Sequence, residues 1–111
     1  MELVKASAAT SYITLWYSGA APAFVTLELD DDATVVGPAA PGDVLLAAGV
    51  ELYHYTPGTE FWQSPSGDHA ASIRVDGHAG SGRLRLRAMQ PGASGRFDLY
   101  GDLLGPNLTP I

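Results

Sequence analysis

The sequence predicts one all-β domain, an antiparallel β-sandwich or partly closed β-barrel of about seven to eight short strands. Short runs in which apolar and polar residues alternate are separated by turns rich in glycine and proline. A polar face on most of these runs favours antiparallel over parallel sheets. At 111 residues and 46% hydrophobic content, the chain has the size and composition of one domain.

Three runs in the first part of the chain are predicted strands: residues 12–17, 24–29 and 34–36. The aspartates at positions 30–32 fit a polar turn between the second and third runs better than a calcium site, because no EF-hand spacing follows them. The side chains that we expect to face inward are Ile13, Leu15, Tyr17, Val25, Leu27 and Leu29.

The central segment, residues 41–66, is the richest in apolar and aromatic residues and has two interpretations. As a helix, it would begin at Asp43 and place an apolar stripe along one side. As strands, Val44–Ala47 and residues 50–56 would flank a bend at Gly49. We favour strands, because a glycine inside a helix costs about 1 kcal/mol and the residues after it are aromatic and β-branched.

The last part of the chain contains predicted strands at residues 71–76, 83–89 and 96–100. The run 83–89 alternates most clearly, with Leu84 and Leu86 facing inward. We therefore place the β-domain at residues 1–102. Residues 103–111 contain two prolines and no period, so we expect an extended C-terminal tail that lies on a neighbouring molecule or on the domain itself.

Composition argues against several functional classes. The net charge of −6 argues against a nucleic-acid partner. With no cysteine, neither a disulfide nor a thiolate metal site can form. No run of about 18 apolar residues is present, so we predict no membrane span, and the first ten residues lack the pattern of a secretion signal. We predict no metal and no cofactor.

One histidine lies in a partial metal-binding motif. The spacing of Gly49, His54 and Glu60 is similar to the first cupin motif, but Thr56 stands where the second histidine belongs, and Gly49 lies one residue too close. A second motif is also missing, so we reject a working cupin. A degenerate cupin-like small-barrel enzyme around His54 and Glu60 stays as the weakest alternative. A single histidine in a strand is more often a hydrogen-bonded core residue.

Three arginines alternate along one predicted strand. Arg83, Arg85 and Arg87 would project from the same face, about 6–7 Å apart. Such a row fits a solvated face whose cations pair with acids on neighbouring strands, Glu28 among them. It also fits an electrostatic contribution to a contact with acidic protein.

Aromatic residues are more numerous than a small core accommodates. We expect a contact surface that includes Tyr53, Tyr55 and Trp62, together with Leu108 and Ile111 of the tail. The alternative is a carbohydrate-binding module, in which exposed rings stack on sugars; its platform would include Trp16, Tyr53 or Trp62.

Four segments, DATVVG, VLLAAGVELYHY, TPGTEFW and AASIRV, follow one another in an order that resembles a class of small β-rich bacteriophage virion proteins. The resemblance covers about half of the chain. It implies a capsid decoration or auxiliary protein, or a minor head or tail component, and it brings no catalytic residues. It also implies a location in the virion, or in the host cytoplasm before assembly.

The sequence therefore predicts a non-enzymatic structural protein that packs on or within a larger assembly. We expect its partners to be proteins, either further copies in a homo-oligomer or the subunits of a capsid or tail lattice. We expect no nucleic-acid partner and no membrane partner.

Overall fold

The computed structural model describes residues 1–19, 22–29, 33–56, 69–88, 93–101 and 108–110, which form ten β-strands. This described part contains no helix that is long and apolar enough to cross a membrane. In chain order the strands are β1 (Glu2–Lys5), β2 (Ser11–Gly19), β3 (Ala23–Leu29), β4 (Thr34–Ala39), β5 (Val44–Ala47), β6 (Val50–His54), β7 (His69–Val75), β8 (Gly80–Ala88), β9 (Ala93–Gly101) and β10 (Leu108–Pro110).

The strands form two five-stranded sheets that pack as a β-sandwich. Sheet A has the order β10-β1-β8-β3-β4, and sheet B has the order β5-β6-β7-β2-β9. All of the strand pairs in these two orders are antiparallel. The predicted fold class is confirmed, and the strand count exceeds the prediction by two or three.

Alternation along the strands builds the core between the two sheets. Every second residue of a strand points to the same side, and in β2, β3, β6 and β7 the inward set is buried and mostly apolar. Ser11, His54 and His69 are its polar members. The six predicted inward residues of β2 and β3 are at most 3% exposed. From sheet A the core receives Leu3, Val25, Leu27, Leu29, Val36 and Leu84, and from sheet B it receives Ile13, Leu15, Tyr17, Leu52, Ile73 and Val75.

The central segment begins with a β-hairpin and not with a helix. Val44–Ala47 pairs with the following strand in a continuous register that ends at Ala47 and Val50. The two residues between them, Ala48 and Gly49, have φ angles of 50° and 80°, the backbone of a type I′ turn. A Cβ on Gly49 would lie 3.0 Å from the carbonyl oxygen of Asp76, so close contact also favours glycine here.

The two strands that the sequence prediction missed, β1 and β10, pair with each other at one edge of sheet A. Alternation in β1 is masked by Lys5, which occupies an inward position and is only 2% exposed. Its ammonium group donates hydrogen bonds to the carbonyl oxygens of Ser7, at 2.7 Å, and Ala9. Burial of this charged side chain is tolerated because backbone carbonyls of the next turn accept hydrogen bonds from its ammonium group.

The C-terminal tail contributes a strand to the domain. Leu108 lies opposite Lys5 in the register of β1 and β10, and it is 1% exposed in the core. The prediction that Leu108 contacts another molecule is therefore wrong, because its side chain is buried within its own domain. The proposed boundary at residue 103 likewise does not separate Leu108–Pro110 from the sandwich.

Candidate binding face

The outer face of sheet B carries the strongest candidate site. Strand register places Glu51, Arg74 and Tyr12 in one row across β6, β7 and β2. Tyr53, Ser72 and Thr14 form the next row. These side chains point away from the core, since their neighbours along each strand are buried. A groove of about 280 Å³ lies over the two rows.

Two tyrosines pack against each other at one end of the groove. The ring centroids of Tyr53 and Tyr55 are 4.4 Å apart, and the ring planes are inclined by 46°. The hydroxyl of Ser72 donates a hydrogen bond of 3.3 Å to the hydroxyl oxygen of Tyr55. This contact fixes the orientation of one ring, and Tyr53 remains 36% exposed.

Further apolar side chains extend the face to the edge of the sheet. On β5, Val44 is 48% exposed and Leu46 is 70% exposed, and they lie opposite Tyr53 and Glu51 in the register. At the other end of the groove, Tyr12 is 56% exposed. We call the surface of Tyr12, Val44, Leu46, Tyr53 and Tyr55 the aromatic face.

A small charge cluster crosses the aromatic face. The guanidinium group of Arg74 lies 3.5 Å from the carboxylate of Glu51 and 3.6 Å from that of Asp76. The carboxylate of Asp76 also accepts a hydrogen bond of 2.7 Å from the hydroxyl of Thr10. These charged side chains are roughly two-fifths exposed, so solvent screens their attraction. Arg74 is thus held in place but remains accessible to a partner.

The predicted contact residues do not form one surface. Tyr53 and Tyr55 lie on the aromatic face, whereas Trp62 and Ile111 lie outside the described residues. The arginine row lies on the outer face of sheet A, on the opposite side of the sandwich. The core separates the arginines from the tyrosines, so the two groups do not share one contact surface. An electrostatic contribution of the arginines to a contact stays a prediction.

The arginine row is at least partly neutralised within the domain. Arg83 contacts the carboxylate of Glu2 at 2.7 Å, and Arg85 contacts that of Glu28 at 3.2 Å. Arg87 is exposed and lies opposite Phe24 in the register of β3 and β8. The interpretation of this row as a solvated, cross-strand paired face fits these contacts.

Trp16 is not a stacking platform. It lies in β2 between β7 and β9, in register with Ala70 and Asp98, and is only 8% exposed. A sugar ring needs an open aromatic face on which to stack. This part of the carbohydrate-binding prediction is therefore wrong, and of its three rings Tyr53 is the one that the structure places on an open surface.

His54 lies in the interior and bridges the two sheets. Its Nδ1 lies 2.8 Å from the carbonyl oxygen of Ala39 in sheet A, which can only accept, so Nδ1 carries the proton. Its Nε2 then accepts from the hydroxyl of Tyr17 at 2.9 Å. The Tyr17 oxygen in turn accepts from the backbone N–H of Ala23 in sheet A at 3.1 Å. His69 stacks on the ring of Tyr17, with centroids 4.8 Å apart.

Burial keeps this bridge uncharged. Loss of hydration lowers the pKa of His54, and nearby His69 acts in the same direction, against the Ala39 carbonyl and the Asp43 carboxylate. Burial likewise raises the pKa of Tyr17, against the hydrogen bond from Ala23. Both ring nitrogens of His54 are already occupied, so metal ligation would require breaking the bridge.

No candidate metal site is assembled in the part of the chain that the structure describes. There, no three histidine, aspartate or glutamate side chains come together as a metal site. Glu60, the proposed partner of His54 in a degenerate cupin-like enzyme, lies outside that part.

Sequence reasoning missed three members of the aromatic face as site residues: Tyr12, Val44 and Leu46. Val44 and Leu46 belong to a run in which all four residues are apolar, so its pattern does not indicate the outward side. Tyr12 begins a run whose alternation is recognisable, but its position beside β7, in the same row as Glu51 of β6, depends on strand order.

Comparisons with known proteins add no relative. A scan against protein-family models finds no match, and searches of the curated proteins and of the solved structures find none either.

Proposed function

We propose that this chain is a non-enzymatic structural protein that packs within a larger assembly through its aromatic face. The observation that supports the proposal is the concentration of exposed apolar side chains there. Of the described residues, seven large hydrophobic side chains are exposed, and Tyr12, Val44, Leu46 and Tyr53 share this one face. Contiguous exposed apolar surface is unfavourable in water and typically marks a protein contact.

The residue types on the face suit a protein partner. Tyrosine and arginine are enriched among the residues that dominate binding energy. Tyrosine also buries a large area at a low cost in conformational entropy. Tyr53 is already braced by Tyr55, and Arg74 is positioned by two carboxylates. These contacts restrict the side chains before binding, which reduces the entropy lost in the complex.

The assembly that we propose is a bacteriophage particle, in which the chain is a capsid decoration or auxiliary protein or a minor virion component. The resemblance of its segments to small virion proteins supports this choice. The partners are then further copies of the chain or the subunits of a capsid or tail lattice. Mass spectrometry of purified particles tests this step: we expect the chain in constant ratio to the major subunit, and its absence from intact particles contradicts a virion role.

Self-packing through the aromatic face is tested with the Tyr12→Ser/Tyr53→Ser double variant. Native mass is measured by light scattering from about 1 µM to about 1 mM protein, the range of weak to moderate affinity. We expect the wild type to rise above its monomer mass of 11.6 kDa. We expect the double variant to need at least about tenfold more protein for the same rise, because two aromatic contacts are lost.

Val35→Ser is the matched control. Val35 is 58% exposed and lies opposite Glu28 on the outer face of sheet A, so this variant removes exposed apolar area from the other side. We expect its association to equal that of the wild type. A wild type that stays monomeric, or a double variant that associates like the wild type, counts against packing of copies through the aromatic face.

Carbohydrate binding is a second candidate, supported by the polar floor of the groove. The hydroxyl of Ser72 and the side chains of Thr14 and Glu51 lie beside Tyr53 and Tyr55. A sugar combines a hydrophobic ring face with many hydroxyls, so adjacent aromatic and hydrogen-bonding groups suit it. The aliphatic Val44 and Leu46 offer no hydrogen bonds, which is why we place protein contact first.

A panel of neutral oligosaccharides distinguishes the two candidates. Binding to a sugar of the panel would shift NMR signals of Tyr53, Tyr55 and Ser72, and the Tyr55→Ala variant would bind at least about tenfold more weakly. Val35→Ser again serves as the control. If the wild-type signals do not shift with any sugar of the panel, the carbohydrate candidate fails.

A further inference from the structure

The four edge strands of the sandwich differ in their protection against pairing with another strand. On β4, Pro38 lacks a backbone donor, and a bulge interrupts the pairing with β3. On β10, Pro110 acts similarly, and the sequence of β9 contains Arg96 and Asp98. Prolines, bulges and charges are the usual devices that prevent edge pairing. In contrast, β5 is Val-Leu-Leu-Ala and contains none of them.

The edge of β5 that faces away from β6 has no described strand beside it, and it offers regularly spaced hydrogen-bonding groups. The carbonyl of Asp43 accepts from the N–H of His54 at 3.0 Å, and the two-residue turn makes Ala47 and Val50 a hydrogen-bonded pair. Backbone groups alternate in direction along an antiparallel strand. The N–H and C=O groups of Val44 and Leu46 therefore point away from β6, and no described strand pairs with them.

We propose that β5 pairs antiparallel with β5 of a second copy of this chain, about a twofold axis at Leu45. Val44 of each copy then lies opposite Leu46 of the other. Both residues direct backbone groups to the edge, so each of these two pairs exchanges two hydrogen bonds, four in total. A register centred on Leu46 would pair that residue with itself and place Val44 opposite the turn. The inference rests on the proposed function and names a partner within it.

Charge and side chains are compatible with a second copy. Between paired strands, Val44 meets Leu46 on the outer face and Leu45 meets its counterpart on the inner face. Asp43 of one copy lies opposite Ala47 of the other, which separates the two Asp43 residues by about 13 Å along the strand. That separation exceeds the Debye length of about 10 Å at 0.1 M salt. Moreover, the Asp43 carboxylate accepts a hydrogen bond from the N–H of Ala40 within its own chain.

The size of this contact predicts weak pairing. Two four-residue strands bury far less than the roughly 1,200 Å² at which stable interfaces begin. We therefore expect a concentration-dependent dimer that gains strength from other contacts in the assembly. Pairing would also join two aromatic faces into one continuous surface, since Val44 and Leu46 belong to that face.

Amide hydrogen exchange of the wild-type chain tests the pairing directly. Exchange is measured by NMR in dilute and in concentrated samples, and Leu45 serves as the internal reference because its N–H points to β6. We expect exchange at Val44 and Leu46 to slow by about twofold or more once half of the chains are paired. Leu45 should exchange equally in both samples.

Two variants at one position separate backbone from side-chain effects. Leu46→Pro removes the leucine side chain and the outward backbone N–H. Leu46→Thr removes the same side chain but keeps the backbone N–H. We expect Leu46→Pro to weaken pairing by about tenfold or more relative to Leu46→Thr, because two of the four hydrogen bonds are lost. If Leu46→Pro does not fold, as judged by circular dichroism, the exchange measurement on the wild type decides.

The outcomes distinguish this inference from the proposed function. Concentration-independent exchange at Val44 and Leu46, or equal association of the two Leu46 variants, overturns the pairing. Suppose that the Tyr12→Ser/Tyr53→Ser variant associates like the wild type and still shows concentration-dependent exchange at Val44 and Leu46. The edge contact then holds, and packing through the aromatic face is wrong. If association depends on the tyrosines while both amides exchange freely at all concentrations, the aromatic face holds and the edge contact is wrong.

Discussion

The outer faces of the two sheets are built by the same alternation and yet present different surfaces. On sheet A, Arg83 and Arg85 pair with Glu2 and Glu28 on neighbouring strands. On sheet B, tyrosines and aliphatic residues surround a charge cluster at Arg74. The first surface is well solvated in the isolated domain, whereas the second leaves apolar area in water. The alternation identifies which residues face outward, and their composition makes one outer face charged and paired and the other largely apolar.

The hydrogen bonds of His54 link the two sheets in the interior, so their removal should destabilise the whole domain. His54→Ala removes the hydrogen bond to Ala39 that joins sheet B to sheet A, removes the bond with Tyr17 within sheet B, and leaves a cavity in the core. We expect the free energy of unfolding to fall by about 3 kcal/mol, as measured by urea denaturation. His78→Ala, at a half-buried histidine in the connection between β7 and β8, is the control and should cost less. An equal loss in both variants would contradict a bridging role for His54.

Acid weakens the same bridge without removing it. The pKa of His54 is lowered in the folded chain, so below the ordinary value of about 6.5 the unfolded chain takes up a proton that the folded chain resists. Stability should therefore fall as pH decreases through about 6.5. The effect should be smaller than that of His54→Ala, because the side chain remains.

Urea midpoints measured between about pH 7.5 and about pH 5 give the slope of stability against pH. Most carboxylates titrate below this pH window. The His54→Gln variant, which has no titrating group at this position, is the control. We expect a shallower slope in that variant. Identical slopes in the two proteins would assign the pH dependence to other groups.

The sequence was sufficient to locate eight of the ten strands, because alternation and turn residues are local properties. It was not sufficient to find β1, since the buried Lys5 interrupts the apolar pattern and its carbonyl partners are known only from the fold. Tyr53 was recognised as a contact residue, whereas Tyr12 joins it through strand order. Alternation alone was misleading for Trp16: its position in β2 is that of an outward residue, but neighbouring parts of the domain leave its side chain buried.

Matched ion-pair deletions compare the two faces directly. Glu2→Ala/Arg83→Ala removes one pair from sheet A. Glu51→Ala/Arg74→Ala removes the Arg74–Glu51 pair from the aromatic face, together with the contact of Arg74 with Asp76. Both variants keep the net charge at −6. We expect each to change the free energy of unfolding by less than about 1 kcal/mol, because the pairs are exposed. We expect association to weaken severalfold for the Arg74 variant and to stay unchanged for the Arg83 variant. The opposite result would make sheet A the contact surface.

Salt should produce the smallest effect, and it should act in opposite directions on stability and on association. Raising NaCl from about 0.05 M to about 0.5 M screens exposed pairs. The Arg83–Glu2 contribution should fall by a few tenths of a kcal/mol, seen as a smaller stability gap between the wild type and Glu2→Ala/Arg83→Ala. Association of copies that each carry a net charge of −6 should strengthen, because salt screens their repulsion and leaves apolar contact intact. Weaker association at high salt would mean that charge pairing, and not apolar contact, holds the copies together.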